Sequence, residues 1–116
     1  MRRPRIAITM GDPAGVGPEL CLKLLADVSV REFCDPVVYG DTSILRRVAK
    51  RLGFKMQDSI RDIPSVDAAR VIPGQVDATC GKAAFAYFDS AITHALAGTI
   101  DATAGGERST VRKCVS

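Results

Sequence analysis

Apolar and polar positions in this chain follow two periods that replace one another in turn. Arg5 to Met10 (RIAITM) alternates and carries isoleucines at Ile6 and Ile8, which predicts a strand. Gly11 to Gly17 is a glycine-rich turn. Pro18 then suits the first position of a helix, where its missing N–H would have no partner anyway. Glu19 follows in the first turn, where the helix dipole favours an acid. Leu20, Leu24 and Val28, spaced four apart, predict one apolar face of that helix, and Cys21 and Leu25 widen it. Asp35-Pro36 ends the connection.

Pro36 to Tyr39 (PVVY) predicts a second short strand. Asp41 or Thr42 is then the expected N-cap of a helix ILRRVAKRL. Ile44, Val48 and Leu52 form its predicted buried stripe, with Arg46, Arg47, Lys50 and Arg51 facing water. Gly53 is the expected C-cap. The pattern weakens between Phe54 and Ala69. A strand is expected over Ala68 to Ile72, closed by the turn signal Pro73-Gly74. Gly81 to Gly98 reads as a strong helix, with Phe85, Phe88, Ile92 and Leu96 on its expected inner side, Ala84, Ala91 and Ala95 beside them, and Gly98 as its cap. Thr99 to Thr103 would start the next strand. Alternation of this kind predicts an α/β fold, a parallel sheet covered by helices with right-handed crossovers.

Composition narrows this picture. The chain has 116 residues, 47% apolar and 25% charged, which suits one globular domain. The net charge of +3 is mild, and aromatics are only 5%. Arg2, Arg3 and Arg5 therefore read as a solvated start rather than a nucleic-acid arm, and no nucleic-acid partner is expected. No run reaches the roughly 18 apolar residues of a membrane span, so no membrane partner is expected. No apolar segment follows the arginines, which argues against a signal peptide and for a cytoplasmic location. The cysteines Cys21, Cys34, Cys80 and Cys114 lack CxxC spacing and read as free thiols.

The candidate chemistry lies in the glycine-rich turn. In a parallel sheet, ligands gather where strands end and βα loops meet. Gly11, Gly15 and Gly17 would permit positive φ and close backbone approach, and the N–H groups near Pro18 would face an anion. Against a simple phosphate cradle, the pattern from Gly15 is G-x-G-x-x-L. The loop also has no lysine, and Asp12 and Glu19 bring negative charge. Spacing alone leaves both a structural turn and a ligand-contacting loop open. Asp12 reads equally as an Asx-type turn beside Pro13, and Glu19 as a complement to the helix dipole. His94, the only histidine, reads as a surface or half-buried residue on the helix side away from Phe85 and Phe88. No metal site and no set of nucleophile, base and orienting group can be assembled from the sequence.

RIAITMGDPAGVGPEL resembles the N-terminal signature of the 4-hydroxythreonine-4-phosphate dehydrogenase (PdxA) family of pyridoxal phosphate biosynthesis. PVVYGD at 36–41 and CGKAAFAYFDSAITHALAGTIDA at 80–102 resemble later stretches of the same family, in the same order. The resemblance runs from Pro4 to near Thr103. It implies a truncated version of the N-terminal part of a fold like that of the isocitrate and isopropylmalate dehydrogenases. It also implies a homodimer with its active site in a cleft between two α/β domains. The implied reaction is oxidation of 4-phosphohydroxy-L-threonine by NAD. The 2-amino-3-oxo acid so formed decarboxylates to 3-amino-2-oxopropyl phosphate. A histidine-held divalent metal would polarise the alcohol and hold the developing enolate. On this resemblance Gly11, Asp12, Pro13, Gly15, Gly17 and Glu19 form a substrate- or cofactor-facing loop.

The departure from the family begins after IDAT. There the family continues into a TAPINKEA-like segment, whereas this chain reads AGGERSTVRKCVS. The family's metal histidines, its substrate-contacting His-Thr pair and its C-terminal phosphate- and cofactor-binding residues have no counterparts, and His94 matches none of them. The expectation is a partial domain over 1–103 and a divergent polar tail over 104–116, out of frame or foreign. The chain alone is expected to be inactive. Two other readings stand beside this one: a non-enzymatic α/β binding or dimerisation module, and a fragment of a dehydrogenase acting on a related phosphorylated threonate.

Overall fold

The computed structural model describes residues 3–75 and 77–104. The polar tail expected over 104–116 lies outside the described residues except for Ala104, which ends a strand. The elements run β1 (Arg5–Thr9), α1 (Gly17–Ala26), α2 (Val28–Phe33), β2 (Asp35–Gly40), α3 (Thr42–Leu52), β3 (Ile60–Asp62), a 3₁₀ turn (Ala68–Arg70), α4 (Ala78–Leu96) and β4 (Ala102–Ala104). All strand pairings are parallel, in the order β3-β2-β1-β4. The expected α/β alternation is therefore present.

Topology places the helices. The steps β1 to β2 and β2 to β3 move one way across the sheet, and right-handed crossovers put α1 and α3 on one face. These two helices pack side by side. The step from β3 to β4 moves back past both central strands, so α4 falls on the opposite face, against β1, β2 and β4. The register of β1 with β2 and β4 puts Ala7, Tyr39 and Thr103 at positions facing α4. Thr9 pairs with Tyr39 on that face, while Ile8 and Val38 pair on the face toward α1 and α3.

Several expectations are corrected. The first helix breaks at Asp27, whose N–H still bonds Leu24 while its carboxylate accepts from Ser29 N at 2.9 Å to start α2. The buried line of α1 is Cys21, Leu22 and Leu25, not Leu20, Leu24 and Val28, which are 50%, 36% and 73% exposed. Two close approaches at the start of α1 turn that line inward. A Cβ on Gly17 would lie 1.8 Å from the Met10 carbonyl oxygen, so Gly17 is pressed against the end of β1. Cys21 Sγ, four residues on, donates to the Thr9 carbonyl. On α3, Leu45 and Ala49 join Ile44 and Val48 in the core, and Leu52 lies at the exposed rim.

Arg47 does not face water. It donates to the carbonyls of Ala68 (2.5 Å) and Val71 (3.1 Å). Those bonds hold 68–70 as a 3₁₀ turn where a strand was expected, and the third strand is Ile60–Asp62, in register with β2 from Val38. On α4 the buried line is Cys80, Ala83, Tyr87 and Ala91. Phe85 and Leu96, expected inside, are exposed, while Phe88 and Ile92 are half-buried. Gly53 caps α3 with φ 78° as expected.

Candidate functional site

The carboxyl ends of β1, β2 and β3 meet the start of α4 at one edge of the sheet. The glycine-rich loop leaves β1 through Gly11, at φ 69°. Asp12 Oδ1 accepts from Ala14 N at 2.8 Å and its carbonyl accepts from Gly15 N at 2.9 Å, so the Asx-type turn is present. Pro13 and Ala14 are buried, and Gly15 and Val16 stand out to solvent. Glu19 pairs with Lys23 at 3.6 Å one turn along α1. The loop is pinned from outside by Gly74 N, which donates to the Ala14 carbonyl at 2.7 Å.

At the end of β2, Asp41 occupies the expected N-cap of α3, yet its side chain makes no cap bond. Asp62, at the end of β3, supplies that acceptor to Thr42 N at 2.9 Å. Asp41 instead turns inward and is 1% exposed. Its two carboxylate oxygens accept from Ser65 N at 3.1 and 3.2 Å, and one of them also accepts from the Tyr87 hydroxyl. Burial, then the bond to Asp41, pushes the Tyr87 hydroxyl well above its ordinary value. One carboxylate thus ties β2, the segment after β3 and α4 together.

Between that segment and α4 lies a cleft of about 470 Å³. Ser65, Asp67, Arg70, Asp77, Thr79 and Cys80 supply its polar lining. Asp77 caps α4 by accepting from Cys80 N at 2.8 Å. The Cys80 thiol is pushed up by burial and then by the negative charges of Asp77 and Asp12. It is an uncharged thiol set between the cleft and the glycine-rich loop, not an activated nucleophile.

None of Gly11, Asp12, Pro13, Gly15, Gly17 and Glu19 lines the cleft itself. They form its neighbour, joined to it through Cys80 beside Asp12 and Gly74 on Ala14. Sequence reasoning missed Asp41, Ser65, Tyr87, Asp77 and Cys80. Asp41 was visible only as a cap, and Tyr87 was hidden among phenylalanines. Away from the site, His94 is half-buried, and its Nδ1 lies 2.5 Å from the Tyr39 hydroxyl. Among the described residues no three His, Cys, Asp or Glu side chains come together to hold a metal.

The model of the family described as pyridoxal phosphate biosynthetic protein PdxA matches residues 32–107. The chain belongs to the PdxA family. Among relatives, a Synechocystis protein named 4-hydroxythreonine-4-phosphate dehydrogenase is 35% identical over 88% of this chain and 32% of its own length. A Symbiobacterium thermophilum protein provisionally named D-threonate 4-phosphate dehydrogenase is 37% identical over 90% of this chain and 36% of its own. The crystal structure of a 4-hydroxythreonine-4-phosphate dehydrogenase from Burkholderia phymatum superposes with a TM-score of 0.84 at 33% identity, over 90% of this chain and 36% of that one. A terephthalate 1,2-cis-dihydrodiol dehydrogenase from Burkholderia xenovorans has the same fold, with a TM-score of 0.75 at 29% identity. The chain therefore spans about a third of the length of the PdxA relatives it matches. The fold corresponds to about a third of the PdxA-type α/β architecture.

Proposed function

We propose that this chain forms one wall of the active site of a PdxA-type, NAD-dependent dehydrogenase that oxidises the C3 hydroxyl of a 4-phosphorylated threonine-like acid. The observation that carries the reading is the place of the glycine-rich loop, at the carboxyl end of the central strand β1 beside a cleft. A nicotinamide cofactor, when bound, would supply the hydride acceptor for that alcohol, whose hydroxyl proton would pass to solvent. The 3-oxo acid so formed then loses carbon dioxide.

The loop would act through its backbone. Asp12 is engaged with Ala14 N and Glu19 with Lys23, so both carboxylates shape the wall. Gly11 and Gly15 would let the main chain come close to a ligand, while Gly17 packs on the Met10 carbonyl and sets the loop against the end of β1. The implied divalent metal does not fit the described residues, which bring no donor set together. No step is assigned to a metal here, and the chain alone is proposed to turn nothing over. A homodimer, a cytoplasmic location and NAD as the particular nicotinamide cofactor belong to the same proposal, on the family's account.

The substrate is proposed to be 4-phosphohydroxy-L-threonine. D-threonate 4-phosphate is the second reading, favoured by the near-equal identity to relatives of both names, 35% and 37%. The purified chain, incubated with NAD, a divalent metal and each substrate in turn, is expected to form no NADH. NADH release at an ordinary dehydrogenase rate, roughly 1 per second or faster, would overturn the claim that the chain alone is inactive.

A further inference from the structure

Between β3 and α4 the chain crosses the carboxyl ends of β2 and β1. It leaves β2 at Ile63, whose N–H donates to the Gly40 carbonyl at 2.8 Å, and reaches the β1 loop at Gly74, whose N–H donates to the Ala14 carbonyl at 2.7 Å. The shape of this segment is held from within. The Asp67 carbonyl accepts from Arg70 N at 2.9 Å, its carboxylate accepts from Ala69 N at 3.1 Å, and the Ile72 carbonyl accepts from Gln75 N at 3.0 Å. Its place on the rest of the molecule depends mainly on directional bonds. Of residues 63–75 only Val71 is buried, while Ile63, Val66 and Ala68 rest half-covered on the core. The two carboxylate oxygens of Asp41 take Ser65 N, and Arg47 Nη1 donates to the carbonyls of Ala68 and Val71. A segment with internal bonds of its own, one buried side chain and a few outside fastenings opens as a unit before the sheet does.

The segment serves two neighbours at once. Pro64 to Val71 supply one wall of the cleft, and Asp77, Thr79 and Cys80 supply the other from the start of α4. Farther along, Gly74 ties down the glycine-rich loop at Ala14, inside the turn that Asp12 makes. We propose that residues 63–75 form a hinged strap, with Arg47 as its positioning residue, and that the seating of this strap sets the width of the cleft and the position of the glycine-rich loop together. With the guanidinium on Ala68 and Val71, the strap lies down and Ala14 is tied. With those bonds broken, the strap lifts from Asp41 and α3, its wall moves away from α4, and the Ala14 carbonyl loses the Gly74 N–H. A planar guanidinium suits the task, since one rigid head reaches both carbonyls where an ammonium would be a point charge on a flexible stem. Nothing in the strap depends on the dehydrogenase reading.

Native-state hydrogen exchange on the full chain, read amide by amide by NMR in low urea, is the test. The amides of Ser65, Arg70, Val71 and Gly74 should open as one group. They should do so about tenfold or more often than those of Val38 in β2 and Val48 in α3, and with a smaller urea dependence. Arg47→Met keeps the apolar stem and removes the donors. It should speed the strap amides about tenfold or more, and the Gly15 amide with them, while Val38 and Val48 change by less than about threefold. Arg47→Lys, which keeps the charge, should fall between Arg47→Met and the parent. Arg46→Met, at the exposed neighbouring position, should alter none of these amides. Strap amides that exchange no faster than Val38 and Val48 in the parent overturn the proposal. So does a Gly15 amide that stays unmoved while the strap speeds up. Equal acceleration at every site in Arg47→Met, or outright unfolding of that variant, makes Arg47 a general stabiliser and overturns it as well.

Discussion

Along the flank of α4 that leans on β2, Tyr87 donates to Asp41, His94 meets Tyr39, and ring planes at 68° close the gap between them. On the side opposite its buried line, Phe85 and Leu96 stand in solvent. The same helix thus carries one side whose buried polar groups are partnered and one whose apolar groups are not. The side that looks less hydrophobic in the sequence is the one that holds the fold. Burial here follows the side of α4 that meets the sheet, against β1, β2 and β4.

The sharpest way to break that contrast is at Asp41. Asp41→Ala strands the Tyr87 hydroxyl on the inner flank and the Ser65 N–H that meets it at Asp41. One buried and one half-buried donor left unmet should cost about 2 to 3 kcal/mol in urea unfolding. A loss under about 1 kcal/mol would mean that water replaces the carboxylate freely. Tyr87→Phe removes one donor and leaves Asp41 its bonds to Ser65 N. It should cost about 1 to 2 kcal/mol, measured in the same way.

Alkaline titration separates the inner flank by a different route. Burial raises Tyr39 and Tyr87 above 10.0, and pushes Cys21 from 9.0 up to about 12. The folded chain then keeps protons that the unfolded chain gives up. The stability these groups contribute is full below the unfolded values and falls as pH rises past 9 to 10. The urea midpoint should be flat from about pH 7 to 9 and drop above that, less steeply in Tyr87→Phe. A midpoint that rises above pH 10 would show the sign to be wrong. The smallest effect belongs to the outer flank. Phe85→Ser should shift the urea midpoint by no more than about 0.5 kcal/mol equivalent, because an exposed ring has little packing to lose.

How much of this was legible before folding depends on the range of the interaction involved. The strand at 5–9, the turn with its Asx bond at Asp12, the Gly53 cap and the order of elements are local matters. A few neighbouring residues decide each of them, so the sequence carries them in full view. The glycine-rich loop was legible as a candidate because strand, turn and Pro18 occur in unbroken succession. The cleft was not. Ser65 and Cys80 line it and Asp41 ties Ser65 to Tyr87 beside it, and these residues come from three separate stretches whose convergence no spacing in the chain announces. The Ala68–Ile72 segment was misread for the same reason, since Arg47 donating to two of its carbonyls is a contact that only packing creates.

What the sequence by itself determined is the alternation of strand and helix, the parallel sheet that alternation implies, and the loop at the end of β1. It also determined that α1 and α4 carry more apolar surface than one packed face requires. Only the tertiary structure decided which of those apolar lines turns inward. That choice is made by contacts far apart in the chain: Gly17 pressed on the Met10 carbonyl, Cys21 on Thr9, and Tyr87 on Asp41. Hydrophobic burial is non-directional and would accept either line. Hydrogen bonds and backbone close approach have direction, and they settle which side of each helix meets the sheet.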